Sequence, residues 1–109
     1  ISYMMGNAGY PGYVTSKAAI TGLTRGLARE IGPDSIRVNA LVPGWVLTER
    51  QMNLFASEES LATHLEKQCL KEHLKSRDIV DATLFLASET SRMITGQALV
   101  VDGGVVVTG

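Results

Sequence analysis

The segment GYVTSK places Tyr13 and Lys17 four positions apart. In a helix that interval is one turn, so both side chains leave the same face. A phenol with a pKa of about 10 handles protons poorly at neutral pH. An ammonium beside it stabilises the phenolate and brings proton exchange toward the working range. Tyr13 and Lys17 therefore have the chemistry of a proton-transfer pair. Such a pair arises easily by chance, so the segments that hold it must decide what it does.

Those segments read as alternating helices and buried strands. Residues 1–12, ISYMMGNAGYPG, are rich in Gly and Pro and read as a loop. A helix is expected over residues 13–31, where Ile20, Leu23, Leu27 and Ile31 recur at the helical period and Gly32-Pro33 stops it. Ala18, Gly22 and Gly26 form a row of small residues down that helix, a seam that admits another helix closely, within the fold or between subunits. Gly inside a helix costs about 1 kcal/mol against Ala. Residues 36–42, IRVNALV, read as a strand buried on both faces and ended by Pro43-Gly44. Residues 45–56 lack a clear period. Ser57, followed by Glu58 and Glu59, marks a helix start reaching to about Leu70. Residues 71–76 form a charged connection, residues 77–87 a further helix, and residues 98–101 a second buried strand closed by Asp102-Gly103-Gly104. Helices between buried strands indicate an α/β layer with a parallel sheet. Two strands cannot complete such a sheet, so further strands are expected from an N-terminal half or a partner chain.

The totals agree with a globular α/β chain. The 109 residues are 45% hydrophobic and 19% charged, with a net charge of −1. Near-neutrality gives no reason to expect nucleic acid or an anionic membrane as partner, and no apolar run approaches the roughly 18 residues of a membrane span. No secretory signal is visible. Cys69, the single cysteine, argues against a disulfide framework and fits a reducing, cytoplasmic setting. His64 and His73 look like exposed helix residues without metal-ligand spacing, and no metal site is expected. Cys69 reads as a packed small hydrophobe. Asp102 reads as a turn stabiliser.

Four motifs, in order, resemble the C-terminal half of the short-chain dehydrogenase/reductase superfamily: Tyr13-x-x-x-Lys17 in YVTSK, the helix KAAITGLTRGLARE, the strand and turn IRVNALVPGWVLT, and the ending MITGQALVVDGG. Nearly the whole chain is covered, except the stretch from about residue 51 to 76. The segments ISYMMGNAGYPGY, PGWVLTERQ, QCLKEHL and SRMITGQALVVDGGVVVTG resemble the galactose- and xylose-type sugar 1-dehydrogenases. Some relatives are 3-oxoacyl-carrier-protein reductases, and fold does not decide substrate.

The resemblance implies the C-terminal half of a doubly wound, Rossmann-like parallel sheet with flanking helices. It implies an oxidoreductase that moves a hydride between NAD or NADP and an alcohol or carbonyl substrate, an aldose oxidised at C1 being the nearest case. Tyr13 would be the general base for alcohol oxidation. Lys17 would lower its pKa and bind the nicotinamide ribose. Pro43 and Gly44 would form the turn at the strand's C-terminal end, where open α/β sheets bind ligands. The backbone of Val46 and the side chain of Thr48 would meet the nicotinamide carboxamide and phosphates. Trp45 and residues 49–57 would lie over the substrate as a mobile lid, with Trp45 as hydrophobic filler the competing reading. Ser2, Asn7 and Tyr10 would contact substrate hydroxyls or else stabilise their loop. Asn39 reads as a structural hydrogen-bonding residue.

Three parts of the family pattern are missing. The glycine-rich TGxxxGxG loop and the Asn-Asn-Ala-Gly motif are not in this sequence, and the position of the catalytic Ser falls just ahead of Ile1. Ser2 does not take that role. The 109 residues are thus expected to be the C-terminal part of one dehydrogenase domain whose cofactor-binding half is absent, inactive and unstable alone. Relatives form homo-tetramers through the small-residue helix and the chain end. A non-catalytic oligomerisation module is the alternative to an enzyme half.

Overall fold

The computed structural model describes residues 1–54 and 56–108. Phe55, in the stretch assigned to the lid, and Gly109, at the end of VVDGGVVVTG, lie outside the described residues. The elements are α1 (Ser2–Met5), α2 (Pro11–Ile31), β1 (Ala40–Pro43), α3 (Glu49–Leu54), α4 (Glu58–Lys67), α5 (Ser76–Ala87) and β2 (Ala98–Val101). Single 3-10 turns follow α2 and α5. β1 and β2 pair in parallel, Ala40 opposite Ala98 and Pro43 opposite Val101. A parallel pair requires a long crossover, and α3, α4 and α5 all lie within it. No helix among the described residues is long and apolar enough to cross a membrane.

Several expectations are corrected. Residues 1–12 are not all loop, because α1 folds there and packs on α2 through the Thr21 hydroxyl, which donates to the Tyr3 hydroxyl at 3.0 Å. The long helix starts at Pro11, a residue suited to a first turn because its missing N–H would lack a partner anyway. The strand expected over residues 36–42 is ordered as strand only at Ala40–Pro43. Before it, backbone and side chains bond sideways instead of in a ladder. Val38 N donates to Thr95 Oγ1 (3.1 Å), and Asn39 bridges Ile94 O (2.8 Å) and Gln97 N (3.1 Å). Arg37 reaches Ser91 Oγ (3.0 Å) and Ser88 O (3.3 Å). Asn39 is therefore committed to joining the two strand approaches. Residues 45–56, without apolar period, nonetheless hold α3, whose first turn is capped by Thr48 Oγ1 accepting from Gln51 N.

Helix α4 begins as expected at an Ser57 N-cap, where Ser60 N donates to Ser57 Oγ and Ser57 N to Ser60 Oγ. It ends at Lys67, short of Leu70. The reason lies after β2. Cys69 N donates to Gly104 O and Leu70 N to Gly103 O, which pulls the chain out of the helix. Gln68, 2% exposed, sits beneath this junction and donates through Nε2 to Leu70 O (2.7 Å) and Glu72 O (2.8 Å). Both glycines are required. Their φ values are +67° and +83°, and an added Cβ would stand 2.6 Å from Gln68 Nε2 at Gly103 and 2.8 Å from Cys69 Cβ at Gly104. Cys69 is exposed, not packed, since this junction turns its side chain outward beside Gly104 O.

The buried apolar set is Ala28, Ala40, Val42 and Leu74, at the seam between α2, the sheet and the segment before α5. β2 is only half-buried and its Ala98 is exposed, so the second strand is not enclosed as expected. Neither strand has a second neighbour among the described residues.

Candidate active site

The C-terminal ends of β1 and β2 converge on one close contact. A Cβ on Gly44 would lie 2.7 Å from Asp102 Cβ, 2.8 Å from its Cα and 3.0 Å from Leu74 Cδ1. Only glycine lets the two strand exits approach so closely. Asp102, buried, holds its own turn by accepting from Gly104 N and Val106 N, both at 2.8 Å. Beyond Gly44, Val46 bridges Leu74, and Leu47 N donates to Leu74 O at 3.0 Å. The path of residues 43–48 is therefore fixed from both sides, and the groups on it have defined positions at the sheet's carboxyl edge.

Helix α2 presents its first turns to this edge. Lys17 Nζ lies 5.2 Å from the centre of the Tyr13 ring, so the ammonium and the phenol share one side, as their spacing requires. Tyr10 meets Tyr13 edge-on, with ring centres 5.8 Å apart. Tyr13 is 53% exposed. Among the described residues neither its hydroxyl nor the Lys17 ammonium has a hydrogen-bond or ion-pair partner.

A cleft of about 590 Å³ opens over these groups. Ser2, Asn7, Tyr10 and Tyr13 line one side of it, and Pro43, Gly44, Trp45, Val46 and Thr48 the other. Lys17 lines an adjoining cleft of about 340 Å³, which shares Ser2, Tyr13, Pro43 and Gly44 with the first. The ten residues singled out from the sequence thus border two connected hollows at one end of the sheet. Ile1 N, donating to Pro43 O at 3.1 Å, fastens the start of α1 to the same edge. The Thr48 hydroxyl oxygen is engaged as the cap of α3.

Five further residues line the cleft: Ile1, Met5, Gln51, His64 and Lys67. Gln51 Oε1 accepts from Trp45 Nε1 at 2.9 Å and so orients the indole. His64 packs edge-on against the Trp45 ring, centres 5.3 Å apart. The expectation that His64 is an exposed helix residue is therefore wrong. The α4 face carrying it turns inward because Gln68, one turn later, is buried under Gly103. Burial, then the neighbouring charges of His73 and Lys67, push the His64 imidazole below its usual range and favour the neutral ring. The sequence signal was the i, i+4 spacing of His64 and Gln68, legible only once the Gly103-Gly104 junction is known.

A cleft outside the carboxyl ends of parallel strands is where open α/β sheets bind ligands, and Tyr13 and Lys17 face one here. A family model described as "Enoyl-(Acyl carrier protein) reductase" matches residues 1–106. The chain is 50% identical over 105 residues to a protein named "Probable galactose dehydrogenase" from Rhizobium meliloti (strain 1021), covering 96% of this chain and 41% of that one. It is 41% identical over 104 residues to D-xylose 1-dehydrogenase of Caulobacter vibrioides, covering 95% and 42%. A solved structure, 4-hydroxyisoleucine dehydrogenase complexed with NADH, superposes with a TM-score of 0.80 at 38% identity, over 85% of this chain and 38% of that one. The chain spans about two-fifths of the length of the curated relatives it matches. With residues 1–106 inside the family match and 85% of the chain superposing on a solved relative at 38% identity, the chain belongs to the short-chain dehydrogenase/reductase superfamily.

Proposed function

We propose that these residues form the C-terminal part of a single dehydrogenase domain that oxidises an aldose at C1 with NAD or NADP. The observation that carries this reading is Tyr13 and Lys17 together, unpaired among the described residues, at the cleft beside residues 43–48. The same observation is the test of cofactor fit, because a ribose-binding ammonium must have donors left for a ligand. The similarity to galactose and xylose dehydrogenases supports the substrate class, and the NADH complex of a solved relative supports the cofactor. When bound, the nicotinamide supplies the acceptor for the hydride leaving C1. Tyr13 Oη accepts the proton of the C1 hydroxyl, and the Lys17 ammonium, 5.2 Å from the centre of the Tyr13 ring, donates to the nucleotide ribose. Pro43, Gly44 and Val46 shape the nicotinamide side, with the Thr48 hydroxyl free to donate while its oxygen caps α3. Trp45, held by Gln51, covers the substrate, and Ser2, Asn7 and Tyr10 offer polar contacts to its hydroxyls.

The small-residue face of α2 supports a homo-tetramer, since nothing lies within 4 Å of a Cβ built on Gly22 or Gly26. The exposed, lone Cys69 supports a reducing, cytoplasmic setting. A carrier-protein-linked 3-oxoacyl substrate is the second reading, favoured by 39% identity over 100 residues to a 3-oxoacyl-[acyl-carrier-protein] reductase of Staphylococcus epidermidis.

The test is a panel of aldoses, acetoacetyl thioesters and simple secondary alcohols, assayed with both nucleotides on the parent enzyme. Aldose preference is expected, and Tyr13→Phe should lower kcat by roughly 10²–10⁴-fold. Thioester preference would demote the sugar reading, and an unaffected Tyr13→Phe enzyme would remove Tyr13 from the chemistry.

A further inference from the structure

Two polar atoms are buried without a hydrogen-bond partner among the described residues: His64 Nε2 and Gln68 Oε1. They belong to side chains one helical turn apart, and the amide stands close enough to favour a proton on the ring. The Gln68 amide has no choice of orientation. Its Nε2 is bound to Leu70 O and Glu72 O, so Oε1 is the atom left without a donor. A buried carbonyl oxygen needs a donor, and a neutral imidazole can supply one only from the nitrogen that carries its proton. A proton carried on Nε2 would serve Oε1 and would leave Nδ1 as an acceptor with a lone pair. The ring carrying that acceptor lines the same cleft as Tyr13, stacked edge-on to Trp45.

From this geometry we propose that His64, held in one tautomer by Gln68, accepts a hydrogen bond from a substrate hydroxyl and so selects polyhydroxylated substrates over simple alcohols. This deepens the sugar reading and rests on it. Tyr13 acts at the reacting carbon, whereas His64 acts on a hydroxyl elsewhere on the substrate. A site built to bond a hydroxyl rejects the analogue without it far more strongly than an apolar pocket rejects an added group. The acceptor exists only while the ring is neutral. The charged groups around it are Lys67 on α4, His73 in the segment that follows and Asp102 in the turn after β2. Burial with the two cations outweighs Asp102, so the neutral ring persists at pH 7 and is lost only as pH falls below the ordinary histidine range.

Asn places its side-chain oxygen where Nδ1 stands, and Gln places its polar end nearer Nε2. In the parent enzyme, His64→Asn should keep kcat/KM for the aldose within about threefold, whereas His64→Gln and His64→Phe should lose roughly 10–100-fold, mostly through KM. The ratio of aldose to simple-secondary-alcohol kcat/KM should therefore fall in His64→Gln and His64→Phe and hold in His64→Asn. The wild-type aldose KM should rise at acid pH and that limb should vanish in His64→Asn. Nitrogen NMR of the imidazole should show a protonated Nε2. An aldose kcat/KM unchanged in His64→Phe overturns the proposal while leaving the sugar reading intact. Equal losses on aldose and simple alcohol in all three variants, or a proton on Nδ1, overturn it too. A wild-type enzyme that turns over no aldose overturns both.

Discussion

At the scale of single residues, Tyr13 and Lys17 act through their spacing, while Gly44 acts through its lack of a side chain. The two kinds of requirement differ in how they fail. Removing the Tyr13 hydroxyl, which no bond ties into the fold among the described residues, removes the proposed proton acceptor and leaves the fold intact. Adding a methyl at Gly44 removes no functional group but forces β1 and β2 apart at the edge of the cleft. The atoms it would strike are Asp102 Cβ and Cα, and the Cα is backbone that cannot rotate away. Gly44→Ala in the parent enzyme should therefore destabilise by about 1–3 kcal/mol, read as a fall in Tm of several degrees. Its aldose KM should rise with it, because Pro43 and Val46 move with the turn. An unchanged Tm would mean that the strand exits are not in contact.

At the scale of elements, α2 has two faces with separate duties. One carries Thr24 and Ala28 into the core, and Thr24 Oγ1 bonds back to Ile20 O at 2.7 Å. The other, along Gly22 and Gly26, is open. Glycine at two places in one helix forgoes about 1 kcal/mol each relative to Ala, a cost that close approach of another helix would offset. Gly22→Leu should then leave the helix itself no weaker, since Leu is the better helix former, but should lower the assembled mass of the parent enzyme in light scattering. A full-sized assembly carrying Leu at this position would exclude this face from the interface. The proposed cover of the substrate is likewise a composite of elements: α3 fixes Trp45 through Gln51, and α4 supplies His64 beside it.

At the scale of the whole molecule, the 109 residues are more extended than a self-sufficient domain. The radius of gyration is 15.4 Å, against about 13 Å for a compact domain of this length. Ile20 (49% exposed) and Leu23 (56%) on α2, and Val80 (45%) and Leu84 (59%) on α5, leave apolar surface uncovered. Burying one such side chain is worth about 1.5–3 kcal/mol, so leaving several exposed removes much of the margin of a small fold. An apolar groove lined by Val46, Ile79, Val80 and Leu84 runs along α5. Expressed alone, residues 1–109 should melt broadly, bind apolar dyes and show no nicotinamide-dependent turnover. A sharp cooperative transition without dye binding would contradict this.

Periodicity and short motifs determined α2, the cap of α4, α5, β2 and the shared face of Tyr13 and Lys17, because these depend on neighbours within a turn or a strand. The ordered motifs, matched residue by residue, likewise identified the superfamily from the sequence. The short helices α1 and α3, the shortened β1 and the early end of α4 were illegible, because each is set by bonds to distant segments: Tyr3 to Thr21, Asn39 to Ile94 and Gln97, Cys69 and Leu70 to Gly103 and Gly104. The inward His64 belongs to the same class. Its local sequence is that of a solvated helix, and only the junction after β2, by burying Gln68, turns the ring into the cleft. Local spacing thus chose the chemistry, while contacts between residues far apart in the chain decided which further side chains surround it.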